Sequence, residues 1–354
     1  MCGPGLVTVS ADEARRFLAG LFGAAGVPAE TALTVADGLV EADLQGVGSH
    51  GLLQAPNYLR RIRAGAISAA GEVRLVRQSG AIRVFDAGLV LGHAAARPAM
   101  DSTITSAREF GIGCSVVRTA THFGVAGRHA RQAAEAGMAG LVMCNTRPML
   151  PAPGGARPVV GNNPLAIAVP AAGRPPIVFD MAMSAGAMGR IRLAARLGQP
   201  IPEGWAVDAD GHPTTDAEAA LAGMLLPAGG AKGFGLALMI DLLCALSGGS
   251  AGPEVGSMYG DASTPADCAW LLIAIDPAHF GQDKPFAERV HELAKHVLAS
   301  PARPGAGPVS LPGDRKLEAE RSSGGSIRLP ASLVAELERL SAELRGPARL
   351  ATRP

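Results

Sequence analysis

Gly229-Gly-Ala-Lys-Gly-Phe-Gly235 stands at the head of an apolar stretch, and the spacing of its glycines decides what kind of α/β protein this is. Backbone amides at a helix N-terminus attract phosphate, and Lys232 adds a charge to them. The spacing fits neither the Walker loop nor the Rossmann Gly-x-Gly-x-x-Gly fingerprint, and the same glycine spacing at Gly46-Val-Gly-Ser-His-Gly51 follows what reads as a helix, not the strand that fingerprint needs. A plain Rossmann domain is therefore disfavoured.

Upstream of this cluster the chain reads as a series of short β-type runs ended by Gly, Pro, Asn or Asp. They are Val73-Arg-Leu-Val, Ile82-Arg-Val-Phe, Cys114-Ser-Val-Val, Gly140-Leu-Val-Met-Cys, Ala166-Ile-Ala-Val and Ile177-Val-Phe. Helices over 94–110 and 127–137 interrupt them. Lys232 to Leu246 reads as a buried helix, and Ala269 to Ile275 as a central strand. Before the β-type runs, Ser10-Ala-Asp-Glu13 is a capping box that opens a helix burying Phe17, Leu18, Leu21 and Phe22. A second helix through Val35, Leu39 and Leu44 delivers Ser49 and His50, and a third carries Tyr58 and Ile62. Beyond the β-rich part come an amphipathic helix over 286–298, a Pro/Gly linker over 300–312 and a polar helix over 330–344. The expected organisation is a helical lobe from residues 1–72 completed by 285–345, a β-rich domain over 73–284, and a flexible tail over 346–354.

Composition narrows the function classes. Lys plus Arg number 32 against 31 for Asp plus Glu, and aromatics make up 4% of the 354 residues. That gives no electrostatic or stacking case for nucleic acid or for an anionic membrane surface. The longest apolar run, Leu236 to Leu246, is broken by Asp241 and too short to cross a bilayer. Five scattered cysteines without a Cys-x-x-Cys pair read as buried thiols of a reducing cytoplasm, and no metal site is expected.

Two glycine-flanked histidines point to proton transfer: His50 in Gly48-Ser-His-Gly51, beside the Ser49 hydroxyl, and His122 in Thr121-His-Phe-Gly124. Gly161-Asn-Asn-Pro164 reads as a turn whose asparagines supply left-handed conformations. Asp180-Met-Ala-Met-Ser184 ends a strand with a carboxylate and a hydroxyl, placed equally well for a ligand's sugar hydroxyls or for capping the next helix.

Taken in order, these segments resemble the malate/L-lactate dehydrogenase family that is unrelated to the Rossmann-type malate and lactate dehydrogenases. The resemblance runs from about Ser10 to Leu340. It rests on Glu41-Ala-Asp43 with Ser49-His-Gly51 and Tyr58, His122-Phe-Gly124, Gly161-Asn-Asn-Pro-Leu-Ala166, Asp180-Met-Ala182 with Ser184, and Ile201-Pro-Glu-Gly-Trp205. Pro213-Thr-Thr-Asp216, Gly229-Gly with Lys232-Gly233, Gly235-Leu-Ala237 and Pro312-Gly-Asp-Arg315 complete it. It implies an α/β fold with a non-Rossmann, largely antiparallel cofactor-binding sheet, NAD or NADP as cofactor, and a homodimer. It further implies that Ser49, His50 and His122 are active-site residues. Asp180, Met181, Ala182, Ser184, Lys232, Gly233, Gly313, Asp314 and Arg315 fall in the cofactor-contacting segments, and Gln54 and Tyr58 on the substrate side. Hydride would move between nicotinamide and C2 of a small 2-hydroxy or 2-oxo acid, with a histidine handling the matching proton.

The chain also departs from the family's pattern. Gln54 stands where members usually carry an Arg suited to a substrate carboxylate, and an amide offers no charged fork. Arg147 stands where a small residue is usual and could restore the charge. Gly48 and Arg190 replace a common Asp or Pro and a common Lys. Two other activities follow from the same motifs: reduction of a cyclic imine 2-carboxylate, and nucleotide binding without catalysis.

Overall fold

The computed structural model describes residues 5–281, 283–347 and 349–352. In chain order the elements are β1 (Leu6–Ser10), α1 (Ala11–Ala24), α2 (Ala29–Leu44), α3 (Ala55–Arg63), β2 (Arg74–Ser79), β3 (Ile82–Asp86), α4 (Gly92–Phe110), β4 (Ile112–Ala120), α5 (Ala126–Glu135) and β5 (Ala139–Cys144). Next come β6 (Leu150–Pro151), β7 (Pro158–Val160), β8 (Leu165–Val169), β9 (Ile177–Met181), α6 (Met188–Leu197), β10 (Ala206–Val207), β11 (Pro213–Thr214), α7 (Ala217–Ala222), β12 (Met224–Leu225) and α8 (Ala231–Cys244). The chain closes with β13 (Cys268–Ile275), α9 (Phe286–Leu298), α10 (Asp314–Ser322), β14 (Ser326–Pro330) and α11 (Ala331–Leu344).

All seven runs read as strands become the seven strands of one sheet, ordered β2-β3-β4-β13-β5-β8-β9. Only the β3–β4 pair is parallel; the other neighbours run antiparallel. β13 sits at the centre, and its continuous apolar run is the signature of a strand covered on both faces. Its side chains alternate accordingly. Trp270 and Leu272 enter the core beneath α4 and α5, and Ala269 and Leu271 enter the core beneath α8.

The helical lobe has a separate core. Phe17, Leu18, Leu21, Phe22, Val35, Leu39 and Tyr58 pack with Leu333, Val334 and Leu337 of α11. Ser10 caps α1 by accepting from Glu13 N at 3.2 Å. The two chain ends are stitched by β1 and β14, paired antiparallel from Leu6↔Pro330 to Ser10↔Ser326, a ladder that the sequence reading lacks. α9 contributes no residue to this core and reaches Ala172, whose N–H donates to Ala287 O at 2.9 Å.

Three expectations need correcting. The helix expected to be buried, α8, is covered on one side only. Gly233, Ala237, Ile240 and Cys244 face inward, whereas Leu236, Met239 and Leu242 are more than half exposed. Gly161-Asn-Asn-Pro164 is not a left-handed turn at its asparagines. Asn163 is buried, donates to Ala237 O at 2.8 Å and accepts from Thr146 N at 2.8 Å, so it pins β5 to α8. The expected flexible tail is anchored where it is described. Leu350 is buried in the lobe core, where its apolar side chain is removed from water, and its N–H donates to Glu338 Oε1 at 3.1 Å. Residues 348, 353 and 354 of that tail, and Cys2, lie outside the described residues.

Candidate active site

The site is assembled where the helical lobe meets the sheet. α2 ends at Leu44 and the chain turns through Gly48–His50 and Leu52–Gln54 into α3. Asp43 organises this turn: its Oδ2 accepts from Leu52 N at 2.7 Å. A Cβ added at Gly51 would sit 2.2 Å from that carboxyl, so only glycine lets the backbone pass so close. Burial pushes the Asp43 carboxyl up to about 6, against the hydrogen bond from Leu52.

The turn presents Ser49, exposed, and His50, half-buried, with Ser49 Oγ and His50 Nδ1 2.9 Å apart. From the sheet side, β4 ends at Ala120 and delivers His122, whose ring centroid lies 5.3 Å from that of His50. From the lobe side, α3 delivers Tyr58, whose hydroxyl lies 2.6 Å from His122 Nδ1. The N-terminus of α4 is pressed against this loop, because a Cβ at Gly92 would come within 2.5 Å of His122 O. Ser49, His50, His122 and Tyr58, from three separate segments, are therefore brought together as expected.

A third histidine belongs to the cluster and was missed. His93 is 2% exposed, with its ring 5.9 Å from Tyr58 and 6.5 Å from His122, and neither ring nitrogen has a hydrogen-bond partner. Gly38 and Gly124 make room for it; a Cβ at either would come within 2.5 Å of its ring. The cue in the sequence was a histidine directly after Leu91-Gly92.

Burial sets the protonation of the cluster. It pushes His122 down to about 3, helped by the neighbouring His50. It lowers His50, against the pull of Asp180, and holds His93 well below the ordinary imidazole value. It keeps the Tyr58 phenol well above 10. At neutral pH the imidazoles are thus uncharged. The Tyr58–His122 contact holds one ring nitrogen, leaving the other for a proton on a bound molecule.

A second group of residues lies along β9 and the segment before α10. Asp180 pairs with Lys316 Nζ at 2.7 Å, and a Cβ at Gly127 would stand 2.9 Å from Asp180 Oδ2, leaving a cradle at the start of α5. Gly313 adopts φ 90° and packs on the Val178 backbone. Gly127, Val178, Gly313 and Lys316 line one cleft with Arg128 and Pro176. Lys316 was missed, one position beyond the segment that carried the resemblance. The two expected residues after Gly313 differ in their surroundings. Asp314 is engaged by Arg174 and by Leu311 N at 2.8 Å, and Arg315 is exposed.

Met181 and Ala182 are half-buried beyond Asp180. Ser184 is buried, with no partner for its hydroxyl, and its backbone bridges Pro227 just ahead of the glycine cluster. Gly229 and Gly230, both at φ 64°, turn the chain into α8, where Lys232 is exposed. Gly233 is required there, since a Cβ would meet Ala228 O at 2.2 Å. The orphaned Ser184 hydroxyl, the glycine cradles and the two lysines fit the polar groups of a dinucleotide.

The sequence model of the family described as malate/L-lactate dehydrogenase matches residues 9–338. The (2R)-3-sulfolactate dehydrogenase (NADP(+)) of Chromohalobacter salexigens is 37% identical over 330 residues, covering 93% of this chain and 96% of that protein. The ureidoglycolate dehydrogenase (NAD(+)) of Escherichia coli O157:H7 is 36% identical over 290 residues, 82% of each. The solved structure of sulfolactate dehydrogenase from Methanocaldococcus jannaschii superposes with a TM-score of 0.91 at 33% identity, over 96% of this chain and 98% of that one. With the matched region spanning the sheet, most of the helical lobe and the histidine cluster, this chain belongs to the malate/L-lactate dehydrogenase family.

Proposed function

We propose that His122, oriented by Tyr58 and flanked by His50 and Ser49, exchanges a proton with the 2-hydroxyl or 2-oxo group of a small acid. The chain is an NAD(P)-dependent oxidoreductase of 2-hydroxy acids. The observation that carries the proton assignment is the 2.6 Å contact between Tyr58 and His122 Nδ1 within a desolvated cluster. A neutral imidazole is ready to take the hydroxyl proton as the alcohol is oxidised, and to return it in the reverse direction. Ser49 Oγ and His50 offer further hydrogen bonds to the substrate.

The cofactor, NAD or NADP, supplies or accepts the hydride at C2. Asp180, Met181, Ala182, Ser184 and Gly313 would hold it from the β9 side. Lys232 and Gly233 would hold it from the N-terminus of α8, with Lys316 keeping Asp180 in place. Asp314 and Arg315 would act at most through the shape of the Gly313 turn, given their own positions.

The protein would work as a homodimer in the cytoplasm, with residues 1–72, α10, β14 and α11 as one lobe and 73–284 as the cofactor domain. Exposed Leu236, Met239, Leu242 and Leu246 form a large apolar surface, the kind that a second copy covers. Among the described residues the cysteines are free thiols, which suits a reducing compartment. No described helix is long and apolar enough to cross a membrane.

A substrate panel with both reduced cofactors tests the reading: 2-oxo acids should be reduced, with absorbance lost at the nicotinamide band. Cofactor consumption only with cyclic imine 2-carboxylates would move the activity to the imine reductases, and none with either class would leave a binding protein.

A further inference from the structure

Position 54 offers the pocket neither a charge nor a free donor. Gln54 is 3% exposed, and its amide nitrogen donates to Ser49 O at 2.6 Å and to Tyr259 Oη at 2.8 Å. The Ser49 carbonyl fixes the amide's orientation, since the flipped form would set two oxygens against each other. Gln54 is thus a strut between the Ser49 turn and Tyr259, which is 50% exposed.

Over the Tyr259 ring lies the guanidinium of Arg192, 4.3 Å from the centroid, a stacking that holds a cation in place. Arg192 comes from α6, and α6 meets the Ser49 turn at Gly189. A Cβ there would be 3.0 Å from Ser49 Cβ, so backbone and turn are in direct contact. Positions 189 and 192, three apart on a helix, share a face. Arg192 therefore stands on the side of α6 that faces Ser49 and the histidines. Among the described residues no carboxylate pairs with Arg192 or with half-buried Arg147. The Arg147 guanidinium is itself held below its usual range by burial and then by the charge of Arg192. Two guanidiniums near one another, without a protein anion, are a favourable place for an external one.

We infer that Arg192, stacked on Tyr259 and steadied by Gln54, takes the acid group of the substrate in this chain, in place of a cation at position 54. The inference rests on the oxidoreductase reading above. It makes Gln54 and Tyr259 positioning residues and Arg192 a specificity-determining one, with Arg147 adding to the same positive potential.

Arg192→Met keeps an unbranched apolar stem and removes the charge. It should raise KM for the best 2-oxo acid by about tenfold to a hundredfold, the size of a lost charge-assisted bond, while kcat moves only a few-fold and cofactor affinity stays put. Arg192→Lys should recover part of the loss, and Gln54→Arg in the Arg192→Met background should recover more. A thermal melt matching the parent excludes misfolding. An unchanged KM in Arg192→Met would overturn the inference. Oxalate binding to the cofactor-loaded protein separates this outcome from failure of the activity itself. If no 2-oxo acid is turned over, loss of oxalate binding in Arg192→Met still supports the assignment, and full retention refutes it.

Discussion

The histidine cluster and the Asp180 wall lie on the same protein yet handle charge in opposite ways. Around His122 the groups are kept neutral by removal from water: two imidazoles, His50 and His122, are half-buried, and His93 is fully enclosed without a single hydrogen bond. Along β9 the charges are retained and matched, Asp180 with Lys316 and Asp314 with Arg174. That contrast matches the division of labour proposed above, protons at the histidines and a ligand along β9. Taking a proton is served by a neutral imidazole free of a fixed counter-charge, whereas holding a charged cofactor is served by fixed charges and backbone donors.

The largest expected effect would break the comparison if it failed. His122→Asn should lower turnover by about 10²–10⁴-fold and leave cofactor affinity within a few-fold. A loss of only a few-fold would pass the proton role to His50. Next in size, Lys232→Ala should weaken cofactor binding by about 1.5–3 kcal/mol, the worth of a charge-assisted contact, and barely alter the pH profile. Unchanged affinity in a direct titration would remove Lys232 from the cofactor site.

Stability against pH should sharpen the contrast. His122 at about 3 and His129 at about 4 are depressed from 6.5, so the unfolded chain binds the extra protons. Their contribution is present above pH 6.5 and is lost as pH falls from there toward 3–4, at about 1.4 kcal/mol per unit for a fully buried group and less for His122. Asp43, raised from 3.8 to about 6, works the other way and favours the fold on the acid side of that window. Urea midpoints that fall between pH 7 and 5 would agree, and a flat profile would not. The smallest effect belongs to Tyr58→Phe. Losing one hydrogen bond to His122 should cost about 0.5–1.5 kcal/mol in kcat/KM, with the cofactor's dissociation constant untouched.

Much of the scaffold is legible in the sequence. Each strand of the main sheet was marked by a short apolar run with a breaker after it, and β13 by its length and continuity. The β1–β14 ladder was not, since Leu6–Ser10 and Ser326–Pro330 are short and become strands only through each other. α8 was misjudged because an all-round apolar helix reads the same whether the core covers all of it or only one side. In the site, Ser49, His50 and His122 announced themselves by flanking glycines. The Tyr58–His122 contact spans 64 positions, and no period connects them. Arg192, Tyr259 and Lys316 look like ordinary surface residues until tertiary structure sets them beside Ser49 and Asp180.

The central claim is a hydride passed directly between nicotinamide and C2 of the acid. Reduced cofactor carrying deuterium at the transferred position of the nicotinamide, incubated with the best 2-oxo acid from the panel, tests it most directly. Direct transfer yields a 2-hydroxy acid with the deuterium on C2 and none in the solvent. Cofactor oxidation that leaves C2 unlabelled would contradict it.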